Sequence, residues 1–232
     1  MPGARDRAAA RQALTAILTA AAAGQFPPAD GNVTILPQPS GRDAGVIAFT
    51  GHAVVFADTD PAWIAGQLPP DELSAPLSAR FLHALGERLG TRSHSVDVLT
   101  CASALAGPPP AGLALTELTG GAGPEHPRIA RALCYRDDVR AWQADGGVLL
   151  LGRGVAGRWE VAVEVNDDRR GHGLGGRLAT AARHLVPGGG PLWAQIAPGN
   201  AASVRAFLRA GFRPAGAEAL LSPPGLGGTM AE

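Results

Sequence analysis

The run Arg169-Arg170-Gly171-His172-Gly173-Leu174-Gly175-Gly176-Arg177 constrains this chain more than any other stretch. Ahead of it, Trp159, Val161, Val163 and Val165 alternate as in a strand; behind it, Leu174, Leu178, Ala181, Ala182 and Leu185 recur at helical spacing. A strand-to-helix turn this rich in glycine lets backbone N–H groups converge on an anion with no Cβ in the way. The helix N-terminus adds its partial positive charge. The spacing therefore predicts a phosphate-binding turn inside an α/β sheet.

Two ligand classes compete for such a turn. Gly171-x-Gly173-x-x-Gly176 matches the dinucleotide fingerprint, which also requires an acidic residue about 20 positions on for the ribose hydroxyl. No Asp or Glu occurs between Asp168 and Glu218, and too little chain follows the turn to build the rest of a doubly wound sheet. An NAD site is set aside on those grounds. The same window holds Arg169, Arg170, Arg177, Arg183, Arg205, Arg209 and Arg213 in a chain of zero formal net charge. A neutral protein with one basic segment suits a multiply phosphorylated small molecule and not a nucleic acid. The plainer alternative is that about half of these arginines only solvate helix faces.

These residues resemble the GNAT superfamily of acyl-CoA N-acyltransferases. Its Arg/Gln-x-x-Gly-x-Gly/Ala turn after the fourth strand is matched by Arg170-Gly171-His172-Gly173-Leu174-Gly175. Its second marker, an Asn after the fifth strand leading to Gly-Phe, is matched from Asn200 through Ser203 and Phe207 to Gly211-Phe212. The two motifs stand in order, joined by 191–197, and the resemblance covers roughly residues 112–221. It implies an α/β fold with a mixed sheet in the C-terminal half.

The chain reads as a smaller N-terminal α/β domain (1–106), a proline-rich linker (107–111), the acyltransferase-like domain (112–221) and a disordered Pro/Gly-rich tail (222–232). The first part is predicted to hold helices at 8–23, Pro61–Leu68 and Ser78–Leu89, and strands at Val33–Leu36, Val46–Phe49, Ala53–Ala57 and Ser95–Thr100. It reads either as a wall of the acceptor site or as a degenerate copy of the second part. In the second part, strands are predicted at Leu113–Leu118, Val139–Ala144, Val148–Leu151, Arg158–Val165, Leu192–Ala197 and Ala217–Leu221. Helices are predicted at Pro127–Tyr135, from Leu174 to about Val186, and at Ala201–Ala210. Only one strand is legible after Phe212, one fewer than the family uses to close its sheet.

The resemblance implies acetyl-CoA as cosubstrate, its pyrophosphate held by the N–H groups of Arg170, Gly171, His172, Gly173, Leu174, Gly175 and Gly176. It assigns the backbone of Val163 and Val165 to the pantetheine arm and the thioester carbonyl, and the Asn200 amide to the same arm. Asn200 also reads as an ordinary helix N-cap. Direct transfer needs a base for the amine. Glu160 and Glu164, four apart on one strand, share a face, and Glu164 lies nearer the turn. Both also have a structural reading, in solvent or paired with Arg158 and Arg153. Where the family often has a thiolate-protonating tyrosine this chain has Phe207, leaving water or Ser203 for that role, or none. Trp142, Trp159 and Trp193 read as core or as pocket lining.

All 20 basic residues are arginine, which excludes a lysine base or Schiff base in this chain. Cys101 and Cys134 read as reduced thiols in apolar surroundings, and the six histidines form no metal-ligand spacing. With no apolar run of spanning length, the expectation is a cytoplasmic N-acetyltransferase without membrane or nucleic-acid partners. It would act on a small-molecule or peptide amine and, as family members often do, form a homodimer. The Phe207 departure keeps open a second reading, a protein that binds or senses acyl-CoA without turnover.

Overall fold

The computed structural model describes residues 3–70, 72–118 and 126–223. The chain is mixed α/β and divides into two compact units, 1–98 with 215–232, and 99–214.

The first unit opens with helix α1 (Ala4–Ala22), which buries Ala10, Leu14, Leu18 and Ala21 along one stripe. Strand β1 (Val33–Leu36) runs parallel to β3 (His52–Phe56), and β3 forms a hairpin with β2 (Ala44–Phe49). Helix α2 (Pro61–Gln67) starts where the Asp60 carboxylate accepts the Ala62 N–H. Helix α3 (Ala79–Leu89) starts where the Ser78 hydroxyl accepts the Phe81 N–H, and stops at Gly90 with φ 66°. After the two-residue β4 (Arg92–Ser93), which the sequence does not announce, the chain leaves this unit. It returns as β11 (Arg213–Ser222), antiparallel to β2 and β4. Val46, Val55, Ile64, Phe81, Leu85, Ala219 and Leu221 form the core.

The second unit takes β5 (Asp97–Ala102) and β6 (Thr116–Glu117), then α4 (Pro127–Tyr135), β7 (Asp137–Ala144), β8 (Gly147–Arg153), β9 (Trp159–Val165), α5 (Leu174–Leu185), β10 (Leu192–Ile196) and α6 (Ala201–Arg209). Its strand order is β5-β10-β9-β8-β7-β6, antiparallel from β6 to β9 and parallel between β9 and β10. The parallel step needs a long crossover, which α5 supplies. One face of the sheet packs under α5 and α6 through Leu149, Leu151, Val161, Leu178, Ala182, Leu192 and Phe207. The other packs under α4 through Ile129, Ala132, Ala141, Val148 and Leu150.

Three expectations change. The strand predicted at Leu113–Leu118 shrinks to Thr116–Glu117, because Pro108–Pro110 lack N–H donors and Gly112 turns at φ 84°. The proline run at 107–111 does not separate the compact units, which divide at 98/99 and 214/215. The Leu105 N–H bonds the Arg183 carbonyl at 2.8 Å, Arg183 Nε donates to the Ser103 carbonyl at 2.9 Å, and His184 Nδ1 lies 3.1 Å from the Ala106 carbonyl. These bonds tie the run's approach to the last turn of α5. β5, from ahead of the run, lies beside β10. Of the tail predicted as disordered, Ser222 ends β11 and 224–232 lie outside the described residues. Among the described residues no helix is long and apolar enough to cross a membrane.

Candidate active site

The site begins with the alternation along β9. Trp159, Val161, Val163 and Val165 turn to the α5 side, while Glu160, Ala162 and Glu164 turn to the α4 side. The β9–β10 ladder runs only through Leu192↔Trp159 and Trp193↔Glu160, and beyond them the pairing ends. On its other edge β9 stays paired with β8 as far as Gly147↔Val165, and the Asn166 N–H donates to the Gly146 carbonyl at 2.9 Å. In an antiparallel ladder the hydrogen-bonding direction alternates residue by residue. Since Asn166 bonds toward β8, Val165 and Val163 direct their N–H and C=O groups to the edge where β10 has separated. These are the two residues assigned above to the pantetheine arm and thioester.

At the end of that edge Asp167–Arg169 make one tight turn. Gly171 and Gly173 follow at φ 81° and 79°, each with open space where a Cβ would stand. Gly173 caps α5. The first helical hydrogen bond runs from the Arg177 N–H to the Gly173 carbonyl at 3.2 Å. The N–H groups of Leu174, Gly175 and Gly176 are therefore without intrahelical acceptors, as in any first turn. Arg170 departs from its expected place, because its N–H donates to the Asp167 carbonyl at 3.3 Å and its guanidinium pairs with the Asp167 carboxylate at 2.8 Å. Arg169 is paired likewise with Asp145 at 2.6 Å. Among the described residues Arg177, Arg205, Arg209 and Arg213 are exposed with no carboxylate partner, so they carry the positive field of the segment. His172 is exposed on the turn.

Asn200 caps α6, its Oδ1 accepting the Ser203 N–H at 3.0 Å while the side chain stays exposed. Asn200→Ala is expected to lower stability by about 1 kcal/mol, the usual cost of losing such a cap, measured by urea denaturation. Ser203 is half-buried one turn into the helix. Phe207 is 4% exposed, its ring edge-on to Phe212 at 4.9 Å. It is a core side chain. Trp142, Trp159 and Trp193 are buried as well, under Arg140, Arg153 and Arg158 respectively, and so belong to the core or its rim. Cys101 is buried, whereas Cys134 is exposed on α4, unlike the apolar setting expected of it.

The two carboxylates of β9 separate sharply in environment. Glu160 is 3% exposed and held by Arg158 Nε at 2.8 Å and Arg136 Nε at 2.9 Å. Burial pushes its carboxyl up, but the two guanidinium groups outweigh burial and hold it below the ordinary range. The Glu160 carboxylate is thus locked between two guanidinium groups. Glu164, at the loop end of the strand, keeps 37% of its side chain exposed and pairs with Arg128 Nε at 2.5 Å.

The partners expected for these acids were Arg158 and Arg153. Arg158 is one, but Arg153 pairs with Asp138 instead, and sequence reasoning missed Arg128 and Arg136. A signal for them existed. Arg128, in the first turn of α4, and Arg136, its C-cap residue, stand eight residues apart, a rise of about 12 Å; Glu160 and Glu164 are four apart on a strand, about 13 Å. An antiparallel helix laid on that face matches both pairs at once.

No family model matches the chain, and no curated protein matches it. Among solved structures it is similar to a GCN5-related N-acetyltransferase from Kribbella flavida, at 22% identity over 62% of this chain and 64% of that one, with a TM-score of 0.42. It is similar also to a GCN5-related N-acetyltransferase from Sphaerobacter thermophilus, at 17% identity over 62% and 56%, TM-score 0.40. A third is a tandem GNAT protein from the clavulanic acid biosynthesis pathway, at 15% over 77% and 62%, TM-score 0.39. The chain spans less than two thirds of the length of each.

Proposed function

We propose that the chain transfers an acyl group, acetyl by preference, from acyl-CoA to a primary amine, and that 99–214 carries the site. One observation carries this reading. β9 leaves the backbone of Val163 and Val165 unpaired with β10, and the same edge leads into a glycine turn whose helix offers three open N–H groups. An extended pantetheine arm would complete the strand edge as a β-ladder does, and its pyrophosphate would lie on the N–H groups of 171–176. A backbone N–H of Val163 or Val165 aimed at the thioester oxygen would stabilise the oxyanion that forms when the amine attacks. Glu164 is the general base, reached directly or through one water.

The test is a thermal-shift titration with acetyl-CoA, CoA and NAD, followed by thiol release from acetyl-CoA over a panel of amines. Stabilisation by both CoA species and not by NAD, with amine-dependent thiol release, supports the reading; no response to either CoA species ends it. Glu164→Gln is expected to lower kcat by about 10²-fold while leaving acetyl-CoA binding unchanged. The burial of Phe207 against Phe212 favours a second reading, acyl-CoA binding without turnover, since no phenol stands there to protonate the thiolate. CoA binding with no thiol release from any amine would select it.

A further inference from the structure

The ion pair at the open end of β9 is poorly explained as a stabilising contact. Arg128 lies in the first turn of α4, where a cation opposes the helix dipole. Its side chain is 26% exposed and that of Glu164 is 37% exposed, and pairs so wet contribute about 0–1 kcal/mol. The guanidinium engages Glu164 through Nε alone, and among the described residues neither of its Nη atoms has an acceptor. The surrounding face is apolar: Ile129, Val148 and Ala162. At the place where the acceptor nitrogen must arrive, the protein thus presents one carboxylate and one guanidinium side by side on an apolar floor.

Resting on the acyl-transfer reading above, we propose that the acceptor is an amine with a carboxylate next to the reactive nitrogen, the α-amino-carboxylate class. Its ammonium is held by Glu164, and its carboxylate takes the free Nη edge of Arg128, the geometry in which a guanidinium binds carboxylates most strongly. The incoming zwitterion exchanges one internal ion pair for two with the substrate. Glu164 then removes one proton from the ammonium, and the nitrogen lone pair attacks the thioester carbonyl. As the C–N bond forms and the C–S bond breaks, sulfur leaves with its electron pair. The second nitrogen proton passes to that thiolate, giving free CoA, and Glu164 returns its proton to solvent. The product nitrogen is a neutral amide with no hold on Glu164, so Arg128 re-forms its pair as the product departs.

The experiment compares the twenty standard amino acids with their methyl esters as acceptors for wild type, Arg128→Gln and Arg128→Lys, reading thiol release. Acetyl-CoA binding is followed separately by thermal shift. The expected result is a kcat/KM at least tenfold higher for the free acids than for the esters. Arg128→Gln should raise KM for the acids at least tenfold with kcat within about threefold, and lose the preference; Arg128→Lys should restore part of it. Equal use of acids and esters overturns the proposal, as does an unchanged KM in Arg128→Gln or turnover of neither class by a protein that binds acetyl-CoA. If acetyl-CoA itself fails to bind, it is the acyl-transfer reading that falls.

Discussion

Gly173→Glu is expected to abolish stabilisation by acetyl-CoA. A ligand at 100 times its Kd adds about 2.7 kcal/mol to the folded state, and the variant should show none of it. Two effects converge at this position. Gly173 sits at φ 79° as the cap of α5, a conformation that costs a residue with a Cβ roughly 1–2 kcal/mol. The added carboxylate then stands at the helix terminus where the pyrophosphate should lie, occupying the positive end of the dipole and repelling the ligand. The unliganded variant will itself be less stable, so the quantity to read is the shift each protein gains on adding ligand. Gly173→Ala separates the two effects, having the strain without the charge, and should retain a weakened response. An undiminished shift in Gly173→Glu would place the phosphates elsewhere.

Glu160→Gln is expected to cost about 3–5 kcal/mol of unfolding free energy, the usual result of removing one partner from a buried ion pair. Arg158, with a side chain 4% exposed, and Arg136 would each lose the Glu160 carboxylate. Gly154 adds to the constraint, since a Cβ on it would overlap the Glu160 carboxylate; Gly154→Ala should destabilise in the same direction. The pH dependence carries a signature. The Glu160 pKa is lower in the folded chain than in the unfolded one, so its contribution is fully present above the ordinary carboxyl value of 4.5. It is lost as pH falls through the lowered value. Urea denaturation between about pH 5 and about pH 2 should show wild type losing stability toward acid more steeply than Glu160→Gln.

The separation of Glu160 from Glu164 shows where sequence reasoning stopped. Strand periodicity placed both acids on one face, and that holds. It could not say that α4 would bring Arg136 over one and Arg128 over the other, because helix-on-sheet docking is a tertiary event with no local residue code. The turn was more legible. The start of α5 at Leu174 and the capping role of Asn200 are written in local chemistry, and the structure has them where the residues put them. The early end of the β9–β10 ladder was not legible from composition or spacing, since it depends on the path of α5. The sheet partner of β10 was not legible for a similar reason: β5 pairs across about ninety residues, and the proline run between reads as a boundary.

The pairing of β11 with β2 and β4 makes the first unit discontinuous in sequence, with 99–214 inserted between its two segments. A fragment beginning at Gly112 would carry the glycine turn, both β9 carboxylates and Arg128, yet would lack β5 beside β10 and would leave β11 without β2 or β4. Residues 112–232 therefore coincide with neither compact unit. β11, which supplies no residue to the proposed site, is the strand against which the N-terminal β2 is built.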